Sequence, residues 1–122
     1  MNQKLLTGLE LKVMNLLWAK EKAHVKDIIE IWDEVPVPAY NTVSTVVRIL
    51  EEKGFVGHEA LGRSHKYFPL LTKADYQKRL MKSVLESVFS GSVTSLVSTL
   101  VDDKKLSGTE IDEIKKMIDQ HE

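Results

Sequence analysis

The chain has 122 residues, no cysteine and a formal net charge of −1, with 43% hydrophobic and 29% charged residues. That size fits one domain or two very small ones, and the composition is that of a globular chain able to bury a core. The missing thiols exclude disulfides, thiol nucleophiles and thiolate metal sites; no apolar run reaches the roughly 18 residues that cross a bilayer, and MNQKLLTGLE has no apolar signal core, so the expected location is the cytoplasm.

The first helix is predicted to open at TGLE, where Thr7 and Glu10 have capping-box spacing, to carry Leu9, Val13, Leu16 and Leu17 on one face, and to end near Lys20. After the link EKAH, Val25, Ile28, Ile29 and Trp32 recur at i, i+3, i+4 and i+7, which predicts a second amphipathic helix. VPVP stops it, and Pro38 is placed at the start of the third helix.

In that third helix Val43, Val46, Val47 and Leu50 form a core stripe. Opposite lie Asn41, Ser44, Thr45 and Arg48, at the same i, i+3, i+4, i+7 spacing, with no acid before Glu51. Ser, Thr and Asn are mediocre helix formers, so propensity does not account for that face. Short hydrogen-bonding side chains and a guanidinium suit base edges and phosphates, and let a helix approach them closely. Gly54 is predicted to close the helix as a left-handed cap.

FVGHEALGRSHKYFPLL predicts two antiparallel strands, 55–60 and 65–71, around an LGRS turn, with Arg63 and Lys66 at the tip and Tyr67 and Phe68 packing within the strand. Three short helices and a basic-tipped hairpin make a winged helix-turn-helix, whose second motif helix enters the DNA major groove. The expected fold class is therefore mainly α with a small β-hairpin: a winged-helix DNA-binding domain over 1–71, followed by a helical dimerisation domain over 72–122. Charge distribution agrees better than net charge does. Residues 1–71 hold nine bases and nine acids, yet acids are absent from 35–50 and from 60–74, which contain Arg48, Arg63, Lys66 and Lys73.

TKAD predicts another helix start, and the helix behind it carries Tyr76, Leu80, Met81, Val84, Leu85, Val88 and Phe89 before Gly91 interrupts it. A shorter apolar segment follows with Leu96, Val97, Leu100 and Val101, and SGTE opens a last helix with Ile111, Ile114 and Ile118 on one side. About 50 residues are too few for an independent core, so Leu80, Val84, Val88, Leu96, Leu100, Ile111 and Ile118 are expected in a homodimer interface. The carboxylates around Asp102, Asp103, Glu110, Asp112 and Glu113 are read as solvated surface. His24, His58, His65 and His121 share no metal-ligand spacing. With no Gly-rich phosphate loop and no nucleophile paired with a base, neither an enzyme nor a cofactor is expected.

LTGLELKVMNLLW with Glu10, Val13, Met14, Leu17 and Trp18, NTVSTVVRILEEKGFV at 41–56, GRSHKYFPL at 62–70 and a tail containing SLVSTLV occur in one order and spacing. In these motifs the chain resembles the BlaI/MecI/CopY family of winged-helix transcriptional repressors, the penicillinase-repressor type. The resemblance implies a homodimer on a palindromic operator, inactivated by proteolysis in its tail downstream of a membrane-bound sensor metalloprotease. It also implies that Thr42, Ser44, Thr45 and Arg48 lie on or beside the DNA-reading surface. The family often has Thr at the position of Asn41 and Arg at that of Ile49, which implies different base preferences here. Copper-responsive members carry a C-terminal cysteine cluster that this chain lacks. Where the antibiotic-responsive repressors have a scissile Asn–Phe bond, the aligned candidate pair is Thr99 and Leu100. A winged-helix protein-interaction module without DNA binding is the alternative; the two acid-free windows favour the repressor.

Overall fold

In the computed structural model, which describes residues 6–120, the elements run α1 (Gly8–Lys20), α2 (Val25–Glu30), α3 (Tyr40–Glu52), β1 (Val56–Leu61), β2 (Ser64–Pro69), α4 (Lys73–Ser87), α5 (Val93–Asp102) and α6 (Gly108–Gln120). His121 lies outside the described residues. By packing, the chain divides into Met1–Leu80 and Met81–Glu122.

Thr7 starts α1 as its spacing predicts. Its hydroxyl accepts from the Glu10 N–H at 3.3 Å, and the Glu10 carboxylate accepts from the Thr7 N–H at 2.9 Å. The buried face differs from the predicted one: Leu9 is exposed, whereas Met14 is fully buried beside Val13 and Leu17. The stripe is registered on Glu10, since 10, 13, 14 and 17 follow one helical face. Glu10 is only 6% exposed, and its carboxylate also accepts from the Lys53 ammonium at 2.9 and 3.0 Å, joining α1 to the end of α3. Burial works against its charged form, but the hydrogen bonds from the Thr7 backbone and Lys53 outweigh it and hold the carboxyl below its usual range.

Lys53→Met should therefore destabilise the protein by about 1–3 kcal/mol at neutral pH, because a largely buried charge loses its partner. A depressed folded pKa gives stability that is present above the unfolded carboxylate pKa and is lost as pH falls through the folded value. Urea melts of variant and wild type should accordingly converge in acid. A gap that persisted there would place the loss in the packing of the Lys53 stem.

The α2 helix ends at Glu30, so Trp32 lies beyond it, yet its ring still packs partly against the core. Lys12 bonds Asp33 and lies 5.7 Å from the Trp32 ring centre, which ties the following connection to α1. Pro38 does not begin α3: Ala39 is the cap and Tyr40 the first helical residue. The far end matches the prediction. Gly54 has φ +86°, and the N–H groups of Gly54 and Phe55 bond the carbonyls of Glu51 and Leu50 at 3.0 and 2.9 Å, a Schellman ending with Phe55 and Leu50 both buried.

Strands β1 and β2 pair from Val56 with Pro69 to Leu61 with Ser64, leaving Gly62 and Arg63 as a two-residue loop. Gly62 has φ +64°, which a residue with a side chain rarely adopts. EKAH, predicted as a plain link, does more. Ala23 is fully buried and exchanges both backbone hydrogen bonds with Tyr67, at 2.9 and 2.8 Å, adding a one-residue bridge to the hairpin. A single residue is too short for an alternating pattern to reveal.

The first packing unit extends to Leu80, past the expected boundary at Leu71, because the start of α4 is part of its core. Tyr76 is 6% exposed, with ring centres of Trp18 and Phe55 at 5.9 and 6.0 Å. The Trp18 indole donates to the Leu71 carbonyl at 3.0 Å, and Leu80 packs partly against the same cluster.

In the second unit, Ser92 caps α5 through the Ser95 N–H at 3.0 Å, and Ser107 and Glu110 form a capping box at the predicted start of α6. None of the described residues of α5 and α6 is buried. Leu96 and Ile111 are half-buried, while Val88, Leu100 and Ile118 are exposed. Val93, Val97 and Val101 line a shallow apolar groove along α5 with Thr94 and Ser98.

Candidate nucleic-acid interface

The α3 helix holds its two faces apart by burial. Val43, Val47 and Leu50 are fully buried and Val46 nearly so, which fixes the helix rotationally against α1 and α2. Asn41, Thr42, Thr45 and Arg48 are consequently exposed and Ser44 is half-buried. Arg48 lies 3.5 Å from the Thr45 hydroxyl, the outer limit of a hydrogen bond, so its guanidinium keeps most of its donors unused. The first acid after this face is engaged: Glu51 bonds His58 Nδ1 at 2.6 Å, linking α3 to β1.

Of the two predicted wing cations, Arg63 sits exposed at the loop and Lys66 is half-buried within β2. Register places Lys66 opposite Glu59, so the acid-free stretch that begins at residue 60 is not acid-free in space. Tyr67 packs in the core at 5% exposure, as expected of a strand residue, and burial pushes its phenol up. His58 and His65 stack with ring centres 4.2 Å apart, on the hairpin face that also carries the buried Tyr67.

A cleft brings Arg63 together with residues the sequence reading did not assign to the interface. Its lining includes His24 and Lys26 at the start of α2, Tyr40 at the start of α3, and Arg63 and His65 from the wing. Isolated charges in separate segments carry no periodic signal. The shared location of Lys26, Tyr40 and Arg63 appears only once Ala23 pairs with Tyr67.

Helices α1 to α3 with the β1–β2 hairpin are a winged helix-turn-helix domain, with α3 as the second helix of its motif. The solution structure of the DNA binding domain of the repressor BlaI is similar, with a TM-score of 0.52 and 25% identity over 62% of this chain and 94% of that one. The family model described as penicillinase repressor matches residues 6–120, and the chain belongs to that family. It is 27% identical over 112 residues to the penicillinase repressor of Bacillus licheniformis, covering 92% of this chain and 88% of that protein. It is 27% identical over 115 residues to the methicillin resistance regulatory protein MecI of Staphylococcus aureus strain N315, covering 94% of each. None of the described helices is long and apolar enough to cross a membrane.

Proposed function

We propose that this chain is a transcriptional repressor that binds a palindromic operator as a homodimer, with α3 in the major groove and the wing on the backbone. The observation that carries this reading is the face of exposed Asn41, Thr42, Thr45 and Arg48 with half-buried Ser44, set on a helix whose opposite stripe, Val43, Val46, Val47 and Leu50, is buried. A rigidly seated helix presents its donors in one geometry, which base recognition requires. Membership of a repressor family supports the same reading. Arg63 contacts phosphate, and Lys66 adds charge near it; Glu59, opposite Lys66 in the strand register, is paired with Lys22 at 3.5 Å.

The second copy covers the tail. Helices of 10 and 13 residues with no buried face are marginal alone in water, whereas pairing the stripes of Val88, Leu100 and Ile118 with their symmetry mates, and closing over half-buried Val84, Leu96 and Ile111, gives them a core. Leu80 contributes less, since it already packs within its own chain. Repression is relieved by proteolysis in this tail, in a pathway headed by a membrane sensor metalloprotease. Thr99 and Leu100, the candidate cleavage pair, are exposed but helical, so a protease must first unwind α5 locally, and a helix with no buried residue opens readily.

Arg48→Ala tests the DNA reading. It should weaken operator binding by roughly 1–3 kcal/mol and binding to random DNA much less, if the guanidinium reads a base. Fluorescence anisotropy on both DNAs decides it: equal losses would reassign Arg48 to phosphate, and no loss on either would remove α3 from the interface.

A further inference from the structure

The wing is fastened to the start of α2. Besides the paired backbone bonds of Ala23 and Tyr67, the His24 ring donates from Nδ1 to the His65 carbonyl at 3.1 Å. Beside this junction opens the cleft of about 330 Å³, and Lys26 from α2, Tyr40 from α3 and Arg63 from the wing line it. No carboxylate is among the lining residues. All three side chains are exposed, Tyr40 by 56% although it is an aromatic residue, and among the described residues neither Lys26 nor Arg63 has an acid partner.

We propose that this cleft seats one phosphodiester of the DNA backbone, with Lys26, Tyr40 and Arg63 as its donors. The proposal rests on the DNA-binding reading and assigns Lys26 and Tyr40 to the interface. An ammonium, a phenol and a guanidinium from three elements are the donor set a phosphate's two free oxygens can use together. The junction through Ala23, Tyr67, His24 and His65 sets their spacing before DNA arrives, so little ordering is needed on binding. Tyr40 immediately precedes Asn41 and Thr42 on α3. A strand read by that face is thus held at the helix's first residue, which favours a backbone phosphate over a free phosphorylated molecule.

The test is the salt dependence of binding to operator and to random DNA for the full-length protein, Lys26→Ala, Tyr40→Phe, and Lys20→Ala as an exposed lysine outside the cleft. Lys26→Ala should bind both DNAs about tenfold more weakly, with the slope of log K against log salt shallower by about one. Tyr40→Phe should weaken both DNAs with an unchanged slope, because a neutral phenol releases no counterion. Lys20→Ala should match wild type. If wild type binds with strong salt dependence and Lys26→Ala behaves like Lys20→Ala, the cleft assignment falls while the DNA reading stands. If wild type shows no salt-dependent binding to any DNA, the DNA reading falls first and takes the cleft with it. A second arm titrates inorganic phosphate into the DNA-free protein at constant ionic strength, followed by NMR shifts of Tyr40 and His65. Saturable binding that Lys26→Ala abolishes, together with an unaltered DNA salt slope, would assign the cleft to a small phosphorylated molecule and overturn the proposal.

Discussion

A fragment ending at Thr99 is expected to keep the winged unit folded and to lose operator affinity by on the order of 100-fold or more. The cut removes Leu100, Val101 and all of α6, and with them a large part of the apolar surface assigned to the dimer. The buried core, from Val13 to Tyr76, lies before the cut, so helicity of the first unit should persist in circular dichroism. A freed monomer keeps Asn41 to Arg48 but holds one half-site. It then makes about half the phosphate contacts, so its salt slope should fall by roughly half, and the second half-site is no longer bound almost intramolecularly. Operator titrations of fragment and full chain at matched salt measure both quantities. Equal affinity for a folded fragment would show that the tail does not set repression, and cleavage there could not relieve it.

The second large effect is expected from Val97→Asp. Val97 is 40% exposed in the single chain and lines the α5 groove between Val93 and Val101, so a second copy would desolvate it. Each dimer would then bury two unpaired carboxylates, at several kcal/mol, more than a small helical interface absorbs. Sedimentation at micromolar concentration should show a dimeric wild type and a monomeric variant with unchanged helicity. This position is a better probe than Leu80, whose substitution would also disturb the winged core it packs against. A variant that stayed dimeric would move the interface off the α5 groove.

Both predictions depend on how differently the two parts of the chain are written. In residues 7–55 almost every local signal is strong: a capping box at Thr7, a stripe at Val43, Val46, Val47 and Leu50, and a glycine ending at Gly54. Each is a short-range device in which the residues that interact are three or four apart, so spacing alone reveals it. The misses are of another kind. A hydrophobic count puts Leu9 on the face that Glu10 and Met14 occupy, because an acid at a core position carries no apolar signal and its neutralising partner, Lys53, lies 43 residues away. The window around Lys66 reads as acid-free because Glu59 lies just outside it in the chain, yet the register sets Glu59 directly across the hairpin, where it pairs with Lys22.

The order of elements, the helix starts at Thr7, Thr72 and Ser107, the glycine ending at Gly54, the hairpin turn and the two opposed faces of α3 are legible in the chain alone, since periodicity and capping are properties of neighbouring residues. Tertiary structure decided where the first unit ends, through Tyr76 reaching Trp18 and Phe55, and which cations share a place. Lys26, Tyr40 and Arg63 are separated by 14 and 23 positions, and nothing local couples them. They meet because two backbone hydrogen bonds between Ala23 and Tyr67 draw the wing against α2, a long-range pairing whose partners carry no mark of each other in the chain.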